Sequence, residues 1–133
     1  MAALLFKNPP SMSPTRGYTH IVESLSPSRT IYLSGQLGLT KEGKFAGGDF
    51  KAQATQCFEN VKTALRECGC GFEHVVKITN YFINMNDLPT FFEVRDRFVN
   101  TNAPPASTAV QVSRLALPSA QFELEAVAVV PVI

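Results

Sequence analysis

A chain of 133 residues with 45% hydrophobic and 17% charged side chains has room for one core built from a sheet and a few helices, so a single domain rather than a two-domain enzyme is expected. Eight glycines and nine prolines are an ordinary share, so collagen-like, low-complexity and largely disordered chains are excluded too. Twelve Lys and Arg against eleven Asp and Glu give a net charge of +1 with no basic run, no footprint for duplex nucleic acid or an anionic membrane, and so point to a small-molecule or protein partner.

The N-terminal residues place apolar side chains before the first positive charge, without the apolar core of about 7–15 residues of a secretory leader. No run approaches the roughly 18 residues of a membrane span, so a cytoplasmic protein is expected. Residues 1–17 are expected to run extended over the surface, because Pro9, Pro10, Pro14 and Gly17 break any helix or central strand. Residues 19–23 and 30–34 are β-branched and aromatic runs that predict two strands, paired as an antiparallel hairpin around residues 25–29. Ile31 and Leu33 should be buried while Thr30, Tyr32 and Ser34 face away, and Ser34-Gly35-Gln36 should close the second strand. Gly38, Gly43, Gly47 and Gly48 then mark a loop with a short β excursion around Lys44 and Phe45.

Asp49 is the expected N-cap of a helix over 50–68, whose apolar stripe contains Ala54, Cys57, Phe58, Val61, Ala64, Leu65 and Cys68, with Gln53 among the polar residues elsewhere. Residues 75–83 form the next strand, with Val76, Ile78, Asn80 and Phe82 on one face and Lys77, Thr79 and Tyr81 on the other. Pro89 opens a short second helix with Phe91, Val94, Arg95 and Phe98 at helical spacing. Pro104 and Pro105 deliver the chain to a strand over 108–114. A last strand over 122–130 alternates at first and then becomes apolar on both faces. The order β-β-α-β-α-β-β predicts a single α+β domain over 1–133, a mixed sheet with two helices on one face. Ile83, Val127 and Val129, expected on the face that the helices do not reach, call for burial against another subunit in a closed ring.

Few residues offer chemistry. Gly43-Lys-Phe-Ala-Gly-Gly lacks the spacing of a phosphate loop and reads as a turn. Cys57, Cys68 and Cys70 have no second Cys or His group to complete a zinc site, so no metal is expected and a reducing compartment fits. His20 and His74 sit in no recognisable motif. Glu123 and Glu125 share one strand face about 7 Å apart, close enough to bracket a water or a substrate group at the mouth of a partly dry cleft.

At Ser34-Gly35-Gln36, Gln53 through Asn60-Val61-Lys62, Val75-Val76-Lys77, Met85-Asn86-Asp87-Leu88, Pro104-Pro105-Ala106 and Phe122-Glu123-Leu124-Glu125-Ala126, the chain resembles the RidA (YjgF) family. The resemblance runs from about Tyr18 to Val129 and implies a chorismate-mutase-like fold, a homotrimer and clefts between neighbouring subunits. It also implies hydrolysis of reactive imines and enamines without metal or cofactor, with substrate-binding positions at Tyr18, Ser34 and Gly35 and a water-activating carboxylate at Glu123. One departure stands out: where deaminating members read Pro-Ala-Arg-Ser, this chain reads Pro105-Ala106-Ser107-Thr108.

Ser107 cannot supply the forked, charged contact that an arginine makes with a carboxylate, a loss of about 2–5 kcal/mol of anchoring. Arg114 has the wrong strand parity to replace it, and Arg16 lies beside Tyr18 in an irregular segment. Three readings follow: a deaminase-type hydrolase with weak or no activity on 2-imino acids, a non-catalytic trimeric small-molecule-binding or protein-interaction module, and an endoribonuclease. The third is disfavoured by the missing basic patch and histidine pair. Ser107 as a nucleophile would need a base that the neighbouring sequence does not provide.

Overall fold

The computed structural model describes residues 4–25 and 27–132; residues 1–3 of the N-terminal segment, Ser26 of the predicted hairpin loop and Ile133 lie outside them. The element order is β1 (Leu4–Lys7), β2 (Ile21–Ser24), β3 (Ser28–Leu37), α1 (Phe50–Glu67), β4 (Val75–Phe82), α2 (Leu88–Asp96), β5 (Ala106–Gln111) and β6 (Phe122–Pro131), with short 3-10 turns at Phe72–His74 and Met85–Asp87. The main sheet has the order β3-β6-β4-β5, antiparallel except for the parallel pair β4–β5, and both helices pack on one of its faces. The result is the expected α+β arrangement with one further strand at the N-terminus.

The core lies between α1, α2 and the helix-side face of the sheet. Ala54, Cys57, Phe58, Val61 and Leu65 of α1 are buried against Ile78 and Phe82 of β4 and Phe122, Leu124 and Ala126 of β6. Phe50, Phe58, Phe82, Phe91 and Phe122 form a connected set of ring contacts, with Phe58 stacked 5.2 Å from Phe98 and 6.4 Å from Phe122.

Several expectations are corrected. The predicted β2–β3 hairpin does not form: β2 pairs with β1, Leu4 opposite Ser24 and Lys7 opposite Ile21, while β3 pairs with β6 over nearly its whole length. A ladder between two ten-residue strands, β6 being largely apolar, outweighs the short one that β2 could offer. β3 does not close at Ser34-Gly35-Gln36 but passes through it, with a bulge between Leu33 and Gln36. Gln53 belongs to the buried side of α1, 1% exposed, because its amide is fully used: Nε2 donates to Gly47 O and Ser119 O, and Oε1 accepts from Gln121 N. β5 begins and ends earlier than the predicted 108–114, and β4 stops one residue before Ile83. Val129, expected to need a second subunit, is already 7% exposed within one chain. The helix-free face is nevertheless open elsewhere, with Tyr32 79% exposed and Val110 exposed.

Candidate functional site

Strand register distributes the predicted site residues over two places. On the helix side, Ser107 stands beside Ile78 in the β4–β5 pair, and its Oγ accepts a 3.0 Å hydrogen bond from Asn80 Nδ2. Asn80 is fully buried; its Nδ2 also donates to Thr108 O, whereas its Oδ1 has no hydrogen-bond partner among the described residues. Tyr18 reaches the same place because Thr19 ties the N-terminal segment to the chain entering β5: Thr19 N donates to Pro105 O at 3.1 Å, and its hydroxyl donates to Pro104 O. Tyr18 and Ser107 thereby line one cavity of about 200 Å3 with the α2 residues Phe91, Phe92 and Arg95. Arg16 lines it as well, whereas Arg114 is exposed and donates from Nε to the neighbouring Leu115 O.

Gly17 is required twice at this corner. Its φ of +76° suits glycine, and a Cβ there would overlap the Arg95 guanidinium.

On the opposite face, Glu123 stands beside Tyr81 of β4 and Leu37 of β3. Gly35 lies in the β3 bulge, where a Cβ would overlap the Glu123 carboxylate, so glycine lets that carboxylate lie across the strand. Glu125 is fixed by Tyr81, whose hydroxyl donates to Glu125 Oε1 at 2.9 Å. Burial and the nearby Glu125 charge push the Glu123 carboxyl above the usual carboxylate range. The bond to Glu125 likewise raises the Tyr81 phenol. Ser34 is exposed next to Gly35. One chain thus joins Ser34, Gly35 and Glu123, and separately Tyr18 and Ser107, but does not bring the two groups together.

The residues that the sequence analysis does not single out are Tyr81, Asn80 and Arg95. Each had a signal: Tyr81 shares strand parity with the open face, Asn80 falls among the apolar residues of β4, and Arg95 falls at the buried phase of α2. His20 and His74 stay apart, His20 Nε2 bonding Ser13 O and His74 Nδ1 accepting from Gly71 N. Burial and Cys68 raise the Cys70 thiol, and burial raises that of Cys57, so neither is an activated thiolate. Among the described residues, no group of three or more His, Cys, Asp or Glu is placed to hold a metal, and no helix is long and apolar enough to cross a membrane.

A model of the family described as endoribonuclease L-PSP matches residues 9–130. The chain is 38% identical over 102 residues to a human 2-iminobutanoate/2-iminopropanoate deaminase, covering 76% of this chain and 73% of that protein. It is 35% identical over 125 residues to a RutC family protein of Aquifex aeolicus, covering 92% and 96%. Among solved structures, a Rid family protein of unknown function from Yersinia pestis superposes with a TM-score of 0.84 at 30% identity, covering 96% of this chain and 98% of that one. The YjgF gene product of E. coli does so at 0.68 and 34%, covering 75% and 80%.

Proposed function

This chain belongs to the RidA (YjgF) family, and from that premise we propose that it is a cofactor-free hydrolase of reactive imines or enamines, working at clefts between the subunits of a cytoplasmic homotrimer. The observation that carries the reading is the pairing of Glu123 with Gly35. A carboxylate with a raised pKa, beside a second carboxylate already held by Tyr81, is suited to take a proton from water. As that proton leaves, the water oxygen bonds to the imine carbon, the C=N π pair moves to the nitrogen, and the nitrogen takes up the proton held by Glu123. The resulting carbinolamine then breaks its C–N bond, releasing ammonia and leaving a carbonyl. Ser107 gives a hydroxyl where a carboxylate-anchoring arginine would stand, so small 2-imino acids are weak substrates or none.

The separation of Tyr18 and Ser107 from Glu123 supports a site completed by a neighbouring chain, as does the exposed Tyr32 face. An endoribonuclease is disfavoured by the net charge of +1 and by the isolated histidines. The deciding experiment compares wild type with Glu123→Gln on a panel of imines generated in situ. Turnover that falls at least about a hundredfold in the variant supports the hydrolase. A wild type inert on every imine supports the non-catalytic binding module instead.

A further inference from the structure

Arg95 is on the buried side of α2, its side chain only 6% exposed, in the cavity shared by Tyr18 and Ser107. Its Nε donates to Asp96 Oδ1 at 2.9 Å, and its guanidinium carbon lies 4.7 Å from the centre of the Phe92 ring and 5.6 Å from that of Phe91. Among the described residues neither terminal amino group of this guanidinium has a hydrogen-bond partner. The Asp96 carboxylate meets this guanidinium at Nε alone, which leaves the terminal N–H groups as unspent donors, and Arg16 lines the same cavity as a second cation. Ser107 adds to them: its Oγ already accepts from Asn80, which leaves the hydroxyl hydrogen to donate. The polar groups here are donors and the walls are aromatic, a combination that fits an anion with an apolar body.

We propose that Arg95 is the anion anchor of this site, entering from α2 rather than β5, and that it selects carboxylates carrying a ring-sized apolar group. The planar fork matches a carboxylate, and about 200 Å3 accommodates a ring that covers Phe91 and Phe92. A two- or three-carbon acid held there leaves those rings uncovered. The extension to substrates, imines or enamines of such acids, rests on the hydrolase reading above; the binding site does not.

The test is calorimetric titration of the purified protein with benzoate, acetate and the neutral isostere benzamide. Benzoate is expected to bind at least about tenfold more tightly than either of the others. Arg95→Gln should weaken benzoate at least about thirtyfold. Ala109→Leu, which fills the cavity from β5, should weaken it similarly and keeps the cavity testable if Arg95→Gln does not fold, with Arg95→Lys, which keeps the charge but loses the fork, then testing the anchor by an expected loss of benzoate affinity. Absence of benzoate binding to wild type, benzamide binding as tight as benzoate, or unchanged benzoate affinity in any of these variants would overturn the proposal. Because affinity is read without turnover, a protein inert on all imines that still binds benzoate through Arg95 sinks only the hydrolase reading. Turnover without benzoate binding sinks only the anchor.

Discussion

Ser107 and Glu123 project from opposite faces of one sheet, two strand positions apart: Ser107 stands beside Ile78, Glu123 beside Tyr81, and Ile78 and Tyr81 alternate on β4. Two strand spacings are about 10 Å and the sheet itself lies between them, so one cleft can use both only by taking them from different chains. Complementation tests this. Glu123→Gln and Ser107→Trp should each be inactive alone, yet co-refolded in equal amounts they should recover about a quarter of wild-type turnover, since a quarter of randomly mixed clefts contain neither lesion. No recovery in mixtures shown to exchange subunits would place the whole site on one chain.

Restoring the forked contact on β5 is the second prediction. Ser107→Arg should raise kcat/KM for 2-iminobutanoate and 2-iminopropanoate by about thirtyfold, measured with a dehydratase supplying the imine. A wild type already fast on both would show that Ser107 is no handicap.

Glu123 makes turnover and stability respond to pH in opposite directions. As a base it works when ionised, so turnover should rise with pH through its raised pKa. The folded protein holds this proton more tightly than the unfolded chain, so ionisation costs stability. That cost is absent below the ordinary carboxylate pKa and complete above the raised one. Glu123→Gln removes it, and its urea midpoint relative to wild type should improve between about pH 4 and about pH 8. An equal difference at both pH values contradicts the assignment.

Gly17→Ala combines a left-handed backbone with overlap of the Arg95 guanidinium. It should cost about 1–3 kcal/mol in equilibrium unfolding. Gly43→Ala is the control: its φ is +77°, but a Cβ there meets nothing within 4 Å, so it should cost less by whatever the overlap contributes.

Phe58 is fully buried and its ring meets those of Phe72, Phe91, Phe98 and Phe122. Phe58→Ala should cost about 3–5 kcal/mol by chemical denaturation. Phe58→Leu, which leaves a smaller cavity, should cost less.

Much of this molecule is legible along the chain because helices and strands impose short periods on side chains. The three- and four-residue spacing of Ala54, Cys57, Phe58, Val61 and Leu65 fixed the buried side of α1, and twofold alternation fixed the faces of the first half of β6 and of β4 from Lys77 onward; Val76, expected on the core face with Ile78, is displaced by a register shift that buries Val75 instead. The segments that carry the family resemblance also imply the fold class.

What period cannot specify is the partner. β3 lies next to β2 in the chain yet pairs with β6, a choice made by ladder length and apolar burial across most of the sequence. Gln53 looked polar because the groups that satisfy it, Gly47, Ser119 and Gln121, come from two distant loops. The site divides in the same way. The sequence by itself determined that a serine, Ser107, follows Pro105-Ala106 and that Glu123 sits on the face away from Leu124. Only the tertiary structure decided that Thr19 fastens Tyr18 beside Ser107, that Arg95 lies in their cavity, and that Glu123 faces away from both. Each of those contacts joins residues far apart along the chain, so its energy depends on how separate elements pack and not on the local pattern of any one.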